Sequence, residues 1–331
     1  MKRFDKLPAS VQIENFLRFI PRALNAILLA LIISISSCGD PSEISDELLD
    51  GKIIFDPSLL APENYLTSLK YPNPSPSEAT KPVLILCHGY SATTFEWSEF
   101  IEWTGNPNAY YTSSVLLGGH GRTYEEFKSS NWHDWQQAIF DEYEALIAAG
   151  YTNIHLVGSS TSGALILEAI SSGYFNGKTA PKSVFLVDPI VLPSDKILPL
   201  IGFLGPLIGY TEASNTPGEE SYWYTYRPQK TLQELQEVIK KVRQDLQSGI
   251  KLPAQTSLNV FKSTNDSSAD PVSAVLIQKG VSPSNQLNVT MVNSRLHVFT
   301  RLKFRKEEIS AADKQNQVQT FQRIVELALS K

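Results

Sequence analysis

The sequence predicts an α/β fold whose sheet is mostly parallel and covered by helices on both faces. From Lys81 onward, short β-rich runs alternate with helical segments, which is the pattern of consecutive βαβ units. Most of the β-rich runs are almost continuously apolar, as expected for strands that are buried on both sides. The alternation stops between about residues 190 and 255, so we expect a cap inserted between two strands of the sheet.

Six β-rich runs are predicted to form strands. They are residues 82–89, 113–119, 153–159, 182–188, 257–263 and 287–293. A helix is expected between the second and third strands, across 136–150, with Gly150 as its C-terminal stop. The last helix is expected near 310–330, where it begins at Ser310 and carries one apolar stripe.

The second half of the cap contains a clear helical pattern. Apolar residues recur at helical spacing across 231–248, which predicts an amphipathic helix. Thr231 and Glu234 have the spacing of a capping box, so the helix is expected to begin there.

Composition narrows the classes of function. The chain has 331 residues, 42% of them apolar, which is enough for a substantial core in one or two domains. Its net charge is −5 and no block of basic residues occurs, so a nucleic-acid partner is not expected. Two cysteines exclude a disulfide framework. Neither metal-ligand spacing nor a dinucleotide glycine fingerprint occurs, so we expect no metal and no cofactor.

The N-terminus has the features of a targeting segment. The apolar run 26–35 is shorter than the ~20 residues that span a bilayer, and a net basic region precedes it. The following Ile35-Ser36-Ser37-Cys38 resembles the lipobox of bacterial lipoproteins. The resemblance implies a signal peptide over 1–37 and lipidation of Cys38. Two alternatives are a simple secretory signal with an incidental cysteine and a short membrane anchor.

The segment that follows Cys38 is polar and acidic up to residue 50, and we interpret residues 38–50 as a tether. Residues 51–331 then form the globular domain, with the cap at about 190–255. A lipidated cysteine places this domain at a bacterial membrane, outside the cytoplasm, with the lipid anchor as its membrane contact.

Three motifs follow predicted strands. The first strand runs into His88-Gly89-Tyr90, the second ends in a Gly-Gly-His-Gly turn, and the third enters the tight turn Gly158–Gly163 before a helix. Together they resemble the α/β-hydrolase superfamily, and most closely its bacterial carboxylesterases and monoacylglycerol lipases. The resemblance covers about residues 80–330 and implies the α/β-hydrolase fold.

In that superfamily a nucleophilic serine lies on a strained strand-to-helix turn with small neighbours. Alignment on Gly158 implies that Ser160 is the nucleophile, although Ser162 replaces the second glycine of the G-x-S-x-G motif. Ser159 and Ser162 are competing serines whose spacing from Gly158 is wrong. The segment taken alone is also compatible with a serine-rich turn, or with a phosphate-binding helix N-terminus.

The acid and the base follow from the superfamily's chain order of serine, acid and histidine. The resemblance implies that Asp266, in the loop after strand 257–263, is the acid. Asp270 is an alternative, as is Asp188 in a less common arrangement. Of the five histidines, His297 alone follows both the serine and the acid, in the loop after the last strand. The implied roles are general base for His297 and orientation of its ring for Asp266.

The backbone N–H groups of Tyr90 and Thr161 occupy the positions from which this fold stabilises an oxyanion. The expected activity is hydrolysis of acyl esters, with a monoacyl lipid or a similar small-molecule ester as substrate. Lysophospholipase, thioesterase, acyltransferase and peptidase activities share this fold. A catalytically inactive surface lipoprotein that only binds a ligand is the alternative from another class. The apolar run 197–209 of the cap would either line an acyl site or pack within the cap itself.

Overall fold

The computed structural model describes four segments of the chain, all within the compact unit Asp46–Lys331. They are residues 49–51, 57–104, 108–194 and 209–331. The predicted signal peptide, Cys38, most of the tether and residues 197–208 of the apolar run lie outside them. Across these segments, no helix is both long enough and apolar enough to cross a membrane.

The described residues form ten strands, of which six make the central sheet. In chain order the strands are β1 Val83–Cys87, β2 Tyr111–Val115, β3 Ile154–Ser159, β4 Ser183–Val187, β5 Tyr210–Glu212, β6 Tyr226–Pro228, β7 Ile250–Lys251, β8 Ser257–Ser263, β9 Val281–Ser282 and β10 Leu287–Val292. The central sheet has the order β10-β8-β4-β3-β1-β2, and every neighbouring pair in it is parallel. The predicted parallel sheet is confirmed.

Nine α-helices are described. They are α1 Thr67–Lys70, α2 Pro76–Ala79, α3 Ser98–Thr104, α4 Tyr124–Ser129, α5 Trp132–Ala148, α6 Thr161–Ser171, α7 Gln229–Ser248, α8 Val272–Gly280 and α9 Ala311–Leu329. Ser310 caps α9 through a capping box with Asp313, and Gly150 follows α5 at a φ of 98°, as the sequence predicts.

Helices bury the sheet on both faces. Residues of β1 alternate between two cores because successive side chains of a strand point to opposite faces. Ile85 belongs to a core that contains residues of α5 and α6, whereas Leu86 belongs to one that contains residues of α3 and α9. This double coverage explains why β1, β3 and β4 are fully buried and largely apolar.

One predicted strand is shifted. β2 begins two residues before the predicted start and ends at Val115, because Tyr111 pairs with Val83 and donates its N–H to the carbonyl of Pro82. The chain then leaves the sheet, and the N–H of Leu117 donates to Nε2 of His88 at 3.0 Å. The apolar residues after Val115 therefore belong to the turn around the histidine and not to the strand.

The predicted cap between two strands is confirmed, since a hairpin and α7 lie between β4 and β8. β5 and β6 pair antiparallel, and α7 follows β6 directly and packs against α6 and α8. The predicted capping box is wrong: Pro228 is the N-cap, and the helix starts at Gln229, whose N–H donates to the carbonyl of Gly209. Thr231 is therefore a buried residue of the first turn, and its hydroxyl donates to the carbonyl of Pro228 at 2.9 Å.

Candidate active site

Ser160 lies at the sharp turn between β3 and α6. Its backbone has φ 48° and ψ −109°, a conformation that a residue with a side chain rarely adopts and that stores strain. The turn is also crowded. A Cβ on Gly158 would lie 2.7 Å from Cδ1 of Ile166, and one on Gly163 would lie 2.7 Å from Cβ of Pro189. The strand and helix can meet this closely only because both positions are glycine.

The two neighbouring serines point away from Ser160. Ser162, which replaces the motif's second glycine, donates its hydroxyl to the buried carbonyl of His88. Ser159 donates to the carboxylate of Glu96 and lies 3.2 Å from the carbonyl of Cys87. Both hydroxyls thus serve to join the turn to the end of β1. Ser160, in contrast, lines a cavity.

The structure brings Ser160, His297 and Asp266 together in one hydrogen-bonded chain. Nε2 of His297 lies 2.8 Å from Oγ of Ser160, and Nδ1 lies 2.8 Å from Oδ2 of Asp266. Asp266 follows β8 and His297 follows β10, so neighbouring parallel strands deliver the two side chains to the same edge of the sheet. Asp270 is placed elsewhere and accepts the N–H of Val272 at the start of α8.

All of the hydrogen-bonding capacity of Asp266 is used. Its Oδ1 accepts the N–H groups of Ser268 at 2.8 Å and Ala269 at 3.1 Å, and its Oδ2 accepts Nζ of Lys262 at 2.6 Å as well as His297. Burial alone would raise the pKa of Asp266, but His297 and Lys262 outweigh burial and hold it below its usual range. The carboxylate therefore stays ionised at neutral pH.

Lys262 is a component of the site that sequence reasoning missed. It is fully buried in β8 and its ammonium also lies 3.0 Å from Oδ1 of Asp188. Asp188 further accepts the N–H and hydroxyl of Ser263 and the N–H of Phe299, two residues beyond His297. Asp188 thus secures the histidine loop without contacting the imidazole in the described residues. The available signal was a lysine inside a strand that the sequence predicts to lie in the sheet, where a lysine is rarely buried without a partner.

Donor atoms of Asp188, Asp266 and His297 lie within 4.8 Å of one another, a spacing that a metal ion could use. Oδ1 of Asp188 and Oδ2 of Asp266 already bind the ammonium of Lys262. A lysine charge held between two carboxylates occupies the place of a cation, so the donor set fits an ion pair better than a metal site.

The two predicted oxyanion donors lie beside Ser160. Thr161 is the first residue of α6, where an amide has no acceptor within its own helix. The N–H of Tyr90 points at Thr161 and donates to its Oγ1 at 3.3 Å. Glu96, which sequence reasoning did not identify, accepts the N–H of Gly89 at 2.8 Å and so holds this loop against the turn of Ser160.

The other histidines lie outside the hydrogen-bonded chain. His88 and His155 are buried, and burial lowers their pKa values to about 4 and about 3. Burial also lowers the pKa of His120 well below its ordinary value. His133 is exposed on α5. The three buried rings are neutral parts of the fold.

Ser160 and His297 line a cavity of about 250 Å³ between the sheet edge and the cap. Its lining combines apolar residues of the cap with charged side chains. The apolar ones include Ile190, Trp223, Leu232 and Leu235, and the cationic ones are Arg227, Arg295, Arg301 and Arg305. A larger cavity of about 360 Å³ lies beside α1 and β2, but no acidic, histidine or cysteine side chain lines it among the described residues.

No protein-family model matches the sequence. Among solved structures, the chain is similar to a metagenome-derived lipolytic enzyme, with 17% identity, a TM-score of 0.60 and coverage of 76% of this chain and 95% of that one. It is also similar to the monoglyceride lipase of Saccharomyces cerevisiae, with 11% identity, a TM-score of 0.60 and coverage of 77% and 89%.

A third similar structure is the monoacylglycerol lipase of Paleococcus ferrophilus, with 14% identity, a TM-score of 0.56 and coverage of 76% and 96%. At these identities the likeness concerns the fold. The feature that these structures support is the central parallel sheet of six strands with helices on its flanks. The chain has the α/β-hydrolase fold, as the sequence predicts.

Proposed function

We propose that this protein is a serine hydrolase that cleaves carboxylic ester bonds through an acyl-enzyme. The observation that supports the proposal is the hydrogen-bonded chain from Ser160 through His297 to Asp266, which opens onto a cavity. A serine hydroxyl is a weak nucleophile until an adjacent base can take its proton, and His297 is placed to do so.

Each group has one task in this mechanism. Nε2 of His297 takes the proton of Ser160 as its Oγ attacks the ester carbonyl, and then passes that proton to the oxygen of the leaving alcohol. Water, deprotonated by the same nitrogen, next attacks the acyl carbon; the bond from that carbon to Oγ of Ser160 breaks, His297 returns the proton to Oγ, and the acid is released. Asp266 holds Nδ1–H and stabilises the imidazolium that exists between the transfers.

The oxyanion that forms in each step needs donors that are already in place. The N–H groups of Thr161 and Tyr90 are these donors. When substrate binds, the N–H of Tyr90 stops donating to the hydroxyl of Thr161 and donates to the substrate oxygen instead. One such donor typically contributes ~10²–10³ to turnover. Glu96 accepts both the N–H of Gly89 and the hydroxyl of Ser159, and so fixes the position of the oxyanion-donor loop relative to Ser160.

The proposed substrates are acyl esters, with monoacyl lipids as the first class to test. Apolar side chains of the cap border the cavity, and two of the similar structures are lipases of monoglycerides. Hydrolysis of thioesters or lysophospholipids, and transfer of the acyl group to another acceptor, would use the same mechanism. The competing function, a binding lipoprotein without catalysis, differs because its serine would not be activated.

The test is labelling with a fluorophosphonate, which reacts only with an activated serine. The wild type should be labelled and should hydrolyse 4-nitrophenyl esters, whereas Ser160→Ala should do neither. Ser172→Ala, which removes an exposed hydroxyl just after α6, is the matched control and should behave as the wild type. An unlabelled but folded wild type would favour the binding protein, and labelling of Ser160→Ala would place the nucleophile elsewhere.

We further propose that Cys38 carries a lipid that anchors the protein at a bacterial membrane, outside the cytoplasm. The residues Ile35-Ser36-Ser37-Cys38 after an apolar run support this proposal. Cys38→Ala should move the protein from the membrane fraction to the soluble fraction and abolish labelling by an alkyne fatty acid, with specific activity retained. Cys87→Ala is the control, because Cys87 is buried in β1. A wild type that takes up no label would refute the anchor.

A further inference from the structure

Two of the four arginines that line the cavity of Ser160 have their charge engaged within the protein. Nη1 of Arg301 lies 2.7 Å from Oε1 of Glu219, and its guanidinium stacks 4.5 Å from the ring centre of Trp223. Arg305 donates to the carbonyls of His297, Val298 and Arg301. These two side chains hold the loop that follows the catalytic histidine, and their role is structural.

Arg227 differs from both of them. It projects from β6 into the cavity, and its Nε is buried and has no hydrogen-bond partner among the described residues. The charge of Glu219 acts on Arg227, but the oxygens of Glu219 are bonded to Arg301 and to the N–H of Thr216. Burial lowers the pKa of Arg227, which nevertheless starts far above neutrality, so the guanidinium remains charged.

A second polar atom in the same cavity is also unpartnered. Oγ of Ser91 is buried and makes no hydrogen bond within the described part of the chain, although the carbonyl of Ser91 accepts the N–H of Tyr224. Ser91 follows the oxyanion donor Tyr90. Arg227 is close to Tyr90 as well: burial raises the pKa of the Tyr90 phenol, and the guanidinium opposes that rise. Nε of Arg227 and Oγ of Ser91, two buried donors without a hydrogen-bond partner among the described residues, thus lie near the oxyanion loop.

We propose that Arg227 and Ser91 bind an anionic oxygen group, a carboxylate or a phosphate, on the ester that Ser160 attacks. The inference rests on the proposed hydrolase function and specifies its substrate class. A guanidinium presents N–H donors in a planar fork that matches both anions, and a serine hydroxyl adds a further donor. A neutral ester would leave these buried donors unpaired, which is costly. The favoured substrate therefore carries a negative charge on its acyl or its alcohol part.

The first test compares two esters with acyl chains of equal length, mono-4-nitrophenyl adipate and 4-nitrophenyl hexanoate, which differ in a terminal carboxylate. The wild type should have the higher kcat/KM for the adipate ester. Arg227→Gln should lower the ratio of the two values by about 10- to 100-fold, the range for a lost charge-assisted hydrogen bond. Ser91→Ala should lower it less. Arg243→Gln removes an equal charge from an exposed position on α7 and should keep the ratio.

The second test places the anion on the alcohol. It compares a 1-acylglycerol 3-phosphate with the 1-acylglycerol of the same acyl chain, in the same variants. If the preference for the anionic over the neutral ester depends on Arg227 in only one of the two comparisons, that comparison identifies the anion and the side of the ester that carries it. A wild-type ratio that Arg227→Gln leaves unchanged in both comparisons would overturn the proposal.

A binding measurement separates this proposal from the hydrolase function. Adipate and inorganic phosphate are titrated into Ser160→Ala while its melting temperature is followed. If either anion raises the melting temperature of Ser160→Ala, and adding Arg227→Gln to that variant abolishes the rise, the anion site is supported even if no ester is cleaved. Ester cleavage without any dependence on Arg227 would refute the anion site and leave the hydrolase function intact. Arg227→Lys, which keeps the charge but loses the fork, replaces the glutamine variant if that variant does not fold, and should lower the same ratio and the same stabilisation.

Discussion

The two sides of Ser160 differ in how completely their polar groups are satisfied. On the side of His297, both oxygens of Asp266 are bonded and the charge of Lys262 is shared between two carboxylates. On the side of the cavity, Arg227 and Ser91 each have a buried polar atom without a partner in the described residues. Reacting groups need fixed geometry before the substrate arrives, whereas a binding surface can leave donors for the substrate to satisfy.

The largest expected effect is on the histidine side, where neutralising the carboxylate should remove most of the activity. Asp266→Asn should lower kcat by ~10⁴, because an amide cannot stabilise the imidazolium and favours the wrong ring tautomer. Asp270→Asn removes a carboxylate that is four residues away and bonded to Val272, and should change kcat little. Turnover of a soluble ester measures both. If Asp270→Asn were the more damaging change, the acid would be misassigned.

The outline of this site could be predicted because the motifs at the ends of the predicted strands resemble those of α/β-hydrolases, and that resemblance implies Ser160, Asp266 and His297. The apolar runs place the strands, and parallel strands bring Ser160, Asp266 and His297 to the same edge, as the geometry shows. The partners of these residues could not be predicted. Lys262 and Glu96 act through contacts that depend on side-chain direction and on a neighbouring element, and neither is visible in local periodicity.

The cavity was the least predictable part. The acyl-site hypothesis concerned the apolar run 197–209 of the cap, most of which lies outside the described residues, whereas Leu232 and Leu235 of α7 do line the cavity. The cations come from β6 and from the loop that contains His297, which are far apart in the sequence and meet only in the folded chain. A hydrophobic pattern on one helix therefore indicates part of a binding surface and omits the charges that other elements contribute.

The next prediction tests whether the ammonium of Lys262 compensates the negative charges of Asp188 and Asp266. In Lys262→Met, Asp188 and Asp266 lose the ammonium between them, and the breaking of a buried ion pair should cost about 3–5 kcal/mol of unfolding free energy. Lys262 also helps to hold the pKa of Asp266 below its usual range, so that pKa should rise in Lys262→Met and the acidic limb of the kcat/KM profile should move to higher pH.

The control for Lys262→Met is Lys240→Met, an equal change of charge at an exposed position on α7. It should alter neither the unfolding free energy nor the pH profile. Of the other charged groups near His297, Arg305 contacts its carbonyl and is unchanged in both variants. A Lys262→Met protein that is destabilised but keeps the wild-type pH profile would show that Lys262 only supports the fold.

A smaller effect concerns the buried histidines. Burial lowers the pKa of His155 to about 3, so between pH 6.5 and pH 3 the unfolded chain binds a proton that the folded chain does not. The free energy of unfolding should therefore decrease as the pH is lowered. His155 should account for ~2 kcal/mol of this decrease between pH 7 and pH 5. His155→Gln should flatten the decline, whereas His133→Gln, at an exposed position, should not. Denaturant unfolding at both pH values is the measurement, and equal slopes in all three proteins would contradict it.

The smallest expected effect concerns a hydrogen bond between the His297 side and the cavity side of Ser160, and it tests whether the two sides act independently. The phenol of Tyr90 lies 2.7 Å from Oγ1 of Thr231 and so joins the oxyanion loop to the cap helix α7. Tyr90→Phe and Thr231→Val each remove this hydrogen bond without changing the size of the side chain much, and a double-mutant cycle should give a coupling of about 1 kcal/mol in unfolding free energy. Because the proposed oxyanion donor is the N–H of Tyr90 and not its ring, kcat in Tyr90→Phe should stay within a few-fold of wild type, as it should in Thr231→Val. A loss of turnover as large as that in Asp266→Asn would mean that the position of the cap sets the geometry of the reacting groups, and the two sides of Ser160 would then have to be treated as one unit.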